Sequence, residues 1–342
     1  MENNIIPQTN ITLPEIAKLL HESDDILLLS HTRPDGDTIG SGSCLYRALR
    51  EMGKRVAYLC DEEIPRRLRF LCSEDDALFI TTELPCGFTP SLTVAVDIAS
   101  PSLLGKLEGE YADRVDLRID HHGTGELNAA HLYVNPEAAA VGEIVYELCM
   151  LLGCRDKTAL SCAYAAISSD TGGFKYSNVT PKTHRIAAEM LELGVDSADI
   201  TQKLFGARPL SQVQAYCAAV EMMHFPLPDV AVINFPEGYR LFRGFTEEDI
   251  GDLSSIPRQI EGVRLGIVIK QRSDEVGKYK ISMRSDGKID CCALCALFGG
   301  GGHAGASGAA IEAETAEDAE KAILAAVLPE FKRMKEELGI QD

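Results

Sequence analysis

The chain has 342 residues, 45% of them hydrophobic and 25% charged, with 52 acidic against 33 basic side chains and a formal net charge of −19. At about 100–200 residues per domain that length asks for two cores, and the charge argues against a grip on long duplex nucleic acid, whose affinity comes from Lys and Arg neutralising phosphates. No apolar run approaches the roughly 18 residues a membrane span needs, the start at Met1-Glu2-Asn3-Asn4 has no leader character, and the eleven cysteines scattered through apolar segments read as reduced thiols of a cytoplasmic protein.

Apolar runs over 26–30, 56–60, 92–96 and 115–119 predict strands, and their continuous rather than alternating character predicts a parallel sheet covered on both faces. Helical spacing over 39–52 makes the opening a strand–helix–strand unit. Further helices are expected over 141–152, 157–169 and 181–193, the last started by Pro181. The expected organisation is a mainly parallel α/β domain over 1–194, a linker over 195–209 and a smaller mixed α/β domain over 210–342. In the second domain a helix over 212–224 precedes strands over 230–234, 264–270 and 279–284. A cysteine-bearing helix over 290–298 leads to four glycines and His303, then an Ala/Gly-rich helix and a long amphipathic helix over 316–338.

Aspartate and histidine recur directly after these elements. His31-Thr32-Arg33-Pro34-Asp35-Gly36-Asp37 follows the first strand, Asp97 the third, Asp120-His121-His122 the fourth, and Asp170 ends an apolar helix. Ends of parallel strands converge at one edge of an open α/β sheet, so six donors, His31, Asp35, Asp37, Asp97, His121 and Asp170, are expected at one place. Nitrogen and oxygen donors with several bridging-capable carboxylates exceed what one zinc needs and suit two Mn²⁺ or Mg²⁺ ions about 3.5–4 Å apart. Each motif has a plainer reading: Asp37 as a helix cap, Asp97 as a strand-end cap, the histidine pair as surface. Asp170, however, stands at the negative end of a helix dipole, where an acid is unfavourable without a cation nearby. Asp120 is expected to orient the imidazoles. The tract Gly299-Gly300-Gly301-Gly302-His303 is no Walker A loop, yet glycine-rich backbone can cradle a phosphate through N–H groups, with Arg284 as a planar partner for phosphate oxygens. Cys291, Cys292 and Cys295 lack a second pair at zinc spacing and are assigned to packing.

Together these residues resemble the DHH phosphoesterase family in its DHHA1-bearing subfamily. The four N-terminal motifs are those just quoted, and the C-terminal one is Gly300-Gly301-Gly302-His303. The resemblance implies one Mn²⁺ on His31, Asp35 and Asp97, another on Asp37, Asp97, His121 and Asp170, and His122 facing the scissile phosphate or leaving oxygen. It further implies nucleotide binding by Arg284, Gly300, Gly301, Gly302 and His303, an active site in the cleft between the domains, and a homodimer. The expected substrates are very short oligoribonucleotides and 3′-phosphoadenosine 5′-phosphate, with cyclic or linear dinucleotides as the alternative. Where the family often has an arginine after Asp97 this chain reads Ser102-Leu103-Leu104, and Ala138-Ala139-Ala140 stands where hydroxyl residues are common.

Overall fold

A strand whose side chains are all apolar must be covered on both faces. In strand β1 (Asp25–Leu29), Ile26 and Leu28 enter one core, while Leu27 and Leu29 enter another on the opposite side. The computed structural model describes residues 9–75, 77–271 and 276–340, with the side chains of all but Asp252 and His303. The chain divides into two units after Ala207.

The first unit begins with helix α1 (Leu13–Glu22), then β1, α2 (Gly36–Glu51) and β2 (Arg55–Leu59). Three two-residue strands follow, β3 (Ser73–Glu74), β4 (Ala77–Leu78) and β5 (Ile80–Thr81), and then β6 (Leu92–Val96), α3 (Glu108–Tyr111), β7 (Leu117–Asp120) and β8 (His131–Val134). Helices α4 (Val141–Leu151), α5 (Lys157–Asp170), α6 (Pro181–Glu192) and α7 (Ser197–Thr201) complete it. The main sheet runs β5–β2–β1–β6–β7–β8 and is parallel throughout. From β1 the chain moves outward to β2 and β5, then returns to the other side of β1 as β6. That reversal is the place where open α/β sheets form their ligand crevice.

Three expectations change here. Helix α2 starts at Gly36, not near residue 39, because Asp35 caps it by accepting from the N–H groups of Asp37 and Thr38 at 2.9 and 3.1 Å. The cap is therefore Asp35 and not Asp37. The run at 115–119 is not uniformly apolar, since Arg118 is fully buried within β7. Where a linker was expected, α7 and a π turn over Gln202–Gly206 continue the first unit.

In the second unit, α8 (Leu210–Glu221), β9 (His224–Leu227), β10 (Val230–Phe235), α9 (Glu237–Arg243), β11 (Leu265–Gln271) and β12 (Lys278–Ser285) precede α10 (Cys291–Ala296), β13 (Gly301–His303), β14 (Ala306–Glu312) and α11 (Ala316–Glu337). The sheet order is β13–β14–β12–β11–β10–β9, with only β10 and β11 parallel. One face packs on α10 and α11, burying Cys291 and Cys295, and the other on α8 and the segment around Phe245. The Ala/Gly-rich segment expected to be helical is strand β14. It pairs antiparallel with β13 on one edge and with β12 on the other.

Small residues also set the helix layer of the first unit. A Cβ on Gly40 of α2 would stand 2.6 Å from the Cys162 carbonyl oxygen and 3.0 Å from Ala166 of α5, and one on Gly142 of α4 would stand 2.7 Å from the Ala166 Cβ. The helices bearing Asp37 and Asp170 thus touch backbone to backbone. Gly40→Ala is expected to cost about 1–3 kcal/mol of stability by overpacking, read as a lower urea midpoint. Gly109→Ala in α3, where a Cβ meets open space, is the control and should stay within about 1 kcal/mol of the parent.

Candidate metal centre

His31 follows β1, Asp97 follows β6, Asp120 ends β7 with His121 and His122 next in the chain, and Asp170 is the last residue of α5. Asp35 and Asp37 lie at the start of α2. Thr38 pins that start to the sheet, its hydroxyl donating to the Val96 carbonyl at 3.0 Å and accepting from the His31 N–H at 3.4 Å. All six expected donors therefore meet at the carboxyl edge of the sheet, around the β1–β6 reversal.

The donors fall into interlocking groups. His31 Nε2 stands 3.6 Å from Asp35 and 3.5 Å from Asp97. His121 Nε2 stands 3.9 Å from Asp37, 3.8 Å from Asp97 and 3.7 Å from Asp170. In each of the triads His31–Asp35–Asp97, Asp37–His121–Asp170 and Asp97–His121–His122, the donor atoms lie within 4.8 Å of one another. Both Nε2 atoms point inward because both Nδ1 atoms are engaged behind, His31 with the Thr32 carbonyl at 2.8 Å and His121 with the Ala138 carbonyl at 3.1 Å. A cavity of about 280 Å³ opens over the group, with Leu103 as its single apolar lining residue.

Asp37 is fixed from the far side. Its carboxylate accepts from the N–H groups of Val141 and Gly142 at 2.7 and 3.0 Å and from the Ser41 hydroxyl at 2.9 Å. Ala140, the residue at the N-cap of α4, brings no capping side chain; an aspartate from another helix supplies the missing acceptor.

The electrostatics call for a cation. Burial, then the neighbouring Asp37 carboxylate, pushes Asp97 up to about 7, and the same two causes push Asp170 up to about 7. Burial opposes the charge of His31, but hydrogen bonds to Asp35 and Asp97 raise it to about 11. Asp97 is 2% exposed, has φ at +63°, and its Oδ1 has no hydrogen-bond partner among the described residues. Strained backbone and an orphaned buried acceptor are both costly and collect at functional sites. Divalent cations that accept imidazole nitrogen alongside carboxylate oxygen fit this set.

Asp120 faces away from these donors. Its Oδ1 accepts from the N–H groups of His121 and His122 at 2.7 and 3.0 Å and from His122 Nδ1 at 2.7 Å, while its Oδ2 binds the Arg118 guanidinium, Nε at 3.0 Å. Burial works against its charge, yet His122 and then Arg118 hold it down at about 2. In turn the Asp120 hydrogen bond pushes His122 up to about 9 against burial. Arg118 escaped the sequence reading, although a lone arginine two residues before an aspartate in a strand signals a same-face pair. Asn178 escaped it too: its Nδ2 donates to the carbonyls of Ala139 and Asp170 at 3.0 and 3.2 Å, joining the loop behind His121 to the end of α5.

The expected nucleotide-binding residues lie in the second unit. Arg284 of β12 pairs with Ala306 of β14, which also pairs with His303 of β13. Arg284 Nη1 donates to the Met283 carbonyl at 2.9 Å; the His303 side chain lies outside the described ones. The glycines are required by the backbone, since a Cβ on Gly300 would lie 2.3 Å from the Gly308 carbonyl oxygen and Gly302 has φ at +141°.

Family models match this chain in two places, the DHH family N-terminal domain over residues 25–167 and the DHHA1 domain over residues 236–328. The chain is 34% identical to the bifunctional oligoribonuclease and PAP phosphatase NrnA of Thermus thermophilus, over 77% of each protein. It is 26% identical to NrnA of Bacillus subtilis, over 80% of this chain and 86% of that one. The cyclic-di-AMP phosphodiesterase PdeA of Listeria monocytogenes is 25% identical over 85% of this chain but only 45% of its own length. A crystal structure of an exopolyphosphatase-related protein from Bacteroides fragilis superposes with a TM-score of 0.83 at 25% identity, covering 94% of this chain and 97% of that one. RecJ of Thermus thermophilus in complex with Mn²⁺ shares the fold, with a TM-score of 0.55 at 17% identity, covering 97% of this chain and 56% of that one.

Arg118→Ala takes the guanidinium from the buried Asp120 carboxylate, which keeps only the His121 and His122 contacts of its Oδ1, and is expected to destabilise the first unit by about 3 kcal/mol. Urea unfolding at neutral pH checks this. A loss below about 1 kcal/mol would show that the pair does not hold the His121–His122 turn.

Proposed function

The chain belongs to the DHH family and carries a DHHA1 domain, and from that premise we propose that it is a two-metal phosphoesterase acting on very short oligoribonucleotides from the 3′ end, releasing nucleoside monophosphates, and on 3′-phosphoadenosine 5′-phosphate. The observation that carries this reading is Asp97. It is shared between two donor groups, keeps one buried oxygen without a hydrogen-bond partner among the described residues, and so suits a bridging ligand. The similarity to NrnA over most of both chains supports the substrate class.

In this reading His31, Asp35 and Asp97 would hold one Mn²⁺, and Asp37, Asp97, His121 and Asp170 would hold the other. The pair supplies Lewis acidity at phosphorus and a nucleophile at neutral pH. The chain's own residues do the rest. Thr32 and Ala138 fix the tautomers of His31 and His121 through their Nδ1 atoms. His122, tied to Asp120 by Nδ1 and half-exposed, keeps Nε2 for the substrate. Held at Nδ1 by the Asp120 carboxylate, His122 is oriented to pass a proton from Nε2 to the leaving oxygen as general acid. Arg284 offers its fork to a substrate phosphate, and Gly300, Gly301, Gly302 and His303 take the nucleotide beside it.

Two experiments test the reading. Purified protein with Mn²⁺ is offered 3′-phosphoadenosine 5′-phosphate, a dinucleotide RNA, a cyclic dinucleotide and pyrophosphate side by side. Turnover of the first two is expected; preference for the cyclic compound would reassign the substrate. Asp97→Ala is expected to lose bound metal and more than about 100-fold of activity, beyond the cost of losing an outer partner of a ligand. His303→Ala should keep the metal content and raise KM. Full Mn²⁺-dependent turnover by Asp97→Ala would reject the ligand assignment.

A further inference from the structure

Directly after Asp170 the chain makes a turn that the proposed chemistry leaves unused. Gly172, Gly173 and Phe174 have φ at +58°, +72° and +62°, and the turn delivers two aromatic side chains to different surroundings. Phe174 goes inward, its ring 5.7 Å from those of Tyr164 and His184. Tyr176 goes outward and is 60% exposed.

The geometry points to Tyr176 as a stacking platform for a nucleobase of the substrate, an inference that rests on the phosphoesterase reading above. A Cβ built on Gly172 would lie 2.3 Å from Tyr176 Cζ and 2.6 Å from both Cε1 and Cε2, all nearer than the hydroxyl oxygen. Equal distances to the two Cε atoms, with Oη farther away, place that point over the ring face and not in its plane. The ring is therefore laid flat on the glycine backbone with its opposite face in water. Gly172 is two residues past Asp170, so their Cα atoms are at most about 7.6 Å apart. An open aromatic face is thus carried on the turn that directly follows a carboxylate proposed to bind metal.

Exposed tyrosines are common, but this one is anchored. The N–H groups of Lys175 and Tyr176 donate to the Thr171 carbonyl at 2.9 and 3.0 Å, and that of Phe174 donates to the Thr171 hydroxyl at 3.1 Å. Asn178 closes the loop onto the Asp170 carbonyl. A ring on fixed backbone forfeits little freedom when a base settles on it. Every base has a π-face, so such a platform tolerates any sequence while favouring nucleotides over base-free phosphodiesters.

The test uses the full chain with Mn²⁺, a dinucleotide RNA and the matching abasic ribose diester. Tyr176→Ala should lower the preference for the dinucleotide over the abasic diester by about 5- to 150-fold, the range of one lost base stack, and should do so through KM rather than kcat. Tyr176→Phe, which keeps the ring, should retain the parent's preference. An unchanged preference in Tyr176→Ala overturns this inference alone. Failure of the parent protein to turn over either compound overturns the phosphoesterase reading and this inference with it.

Discussion

Five carboxylates brought to one edge of a parallel sheet, Asp35, Asp37, Asp97, Asp120 and Asp170, repel one another, and the neighbouring elements are shaped by the need to hold them there. Asp37, Asp97 and Asp120 are almost wholly buried, where an unpaired charge is most expensive. Each is met differently. Asp37 receives the first amides of α4, Asp120 receives two backbone amides with Arg118 and His122, and Asp97 keeps an oxygen unmatched among the described residues. The first two are satisfied by the chain itself and serve as scaffold. The third has its capacity left over, which is why the functional reading turns on it.

That scaffold needs close helices. Asp37 can grip α4 only because Gly40 and Gly142 let α2 and α4 settle against α5 without a Cβ between them. The same approach brings Asp170, at the end of α5, within 3.7 Å of His121. Packing and chemistry are thus coupled through residues that carry no functional group.

Much of this was legible in the sequence. Apolar runs placed β1, β2 and β6, and the six donors could be named because each directly follows or caps such an element. What remained hidden depended on partners distant in the chain. Asp35 and Asp37 are indistinguishable as caps until the amides of Val141 and Gly142, more than a hundred residues on, are seen to claim Asp37. Arg118 was absorbed into an apolar run because its partner Asp120 already had a role. Strand β14 read as a helix because alanine and glycine carry little β signal, and only the neighbours β12 and β13 decide its state.

The backbone of Asp97 lies at φ +63°, a region open to glycine and, among residues with side chains, chiefly to asparagine, aspartate and histidine. Glycine would relax the turn but bring no donor, and glutamate would bring a carboxylate on a backbone that resists the conformation. Aspartate alone satisfies both the turn and the charge. At this one position, then, the demand of the backbone and the demand of the charge fall on a single side chain, and neither can be relaxed without giving up the other.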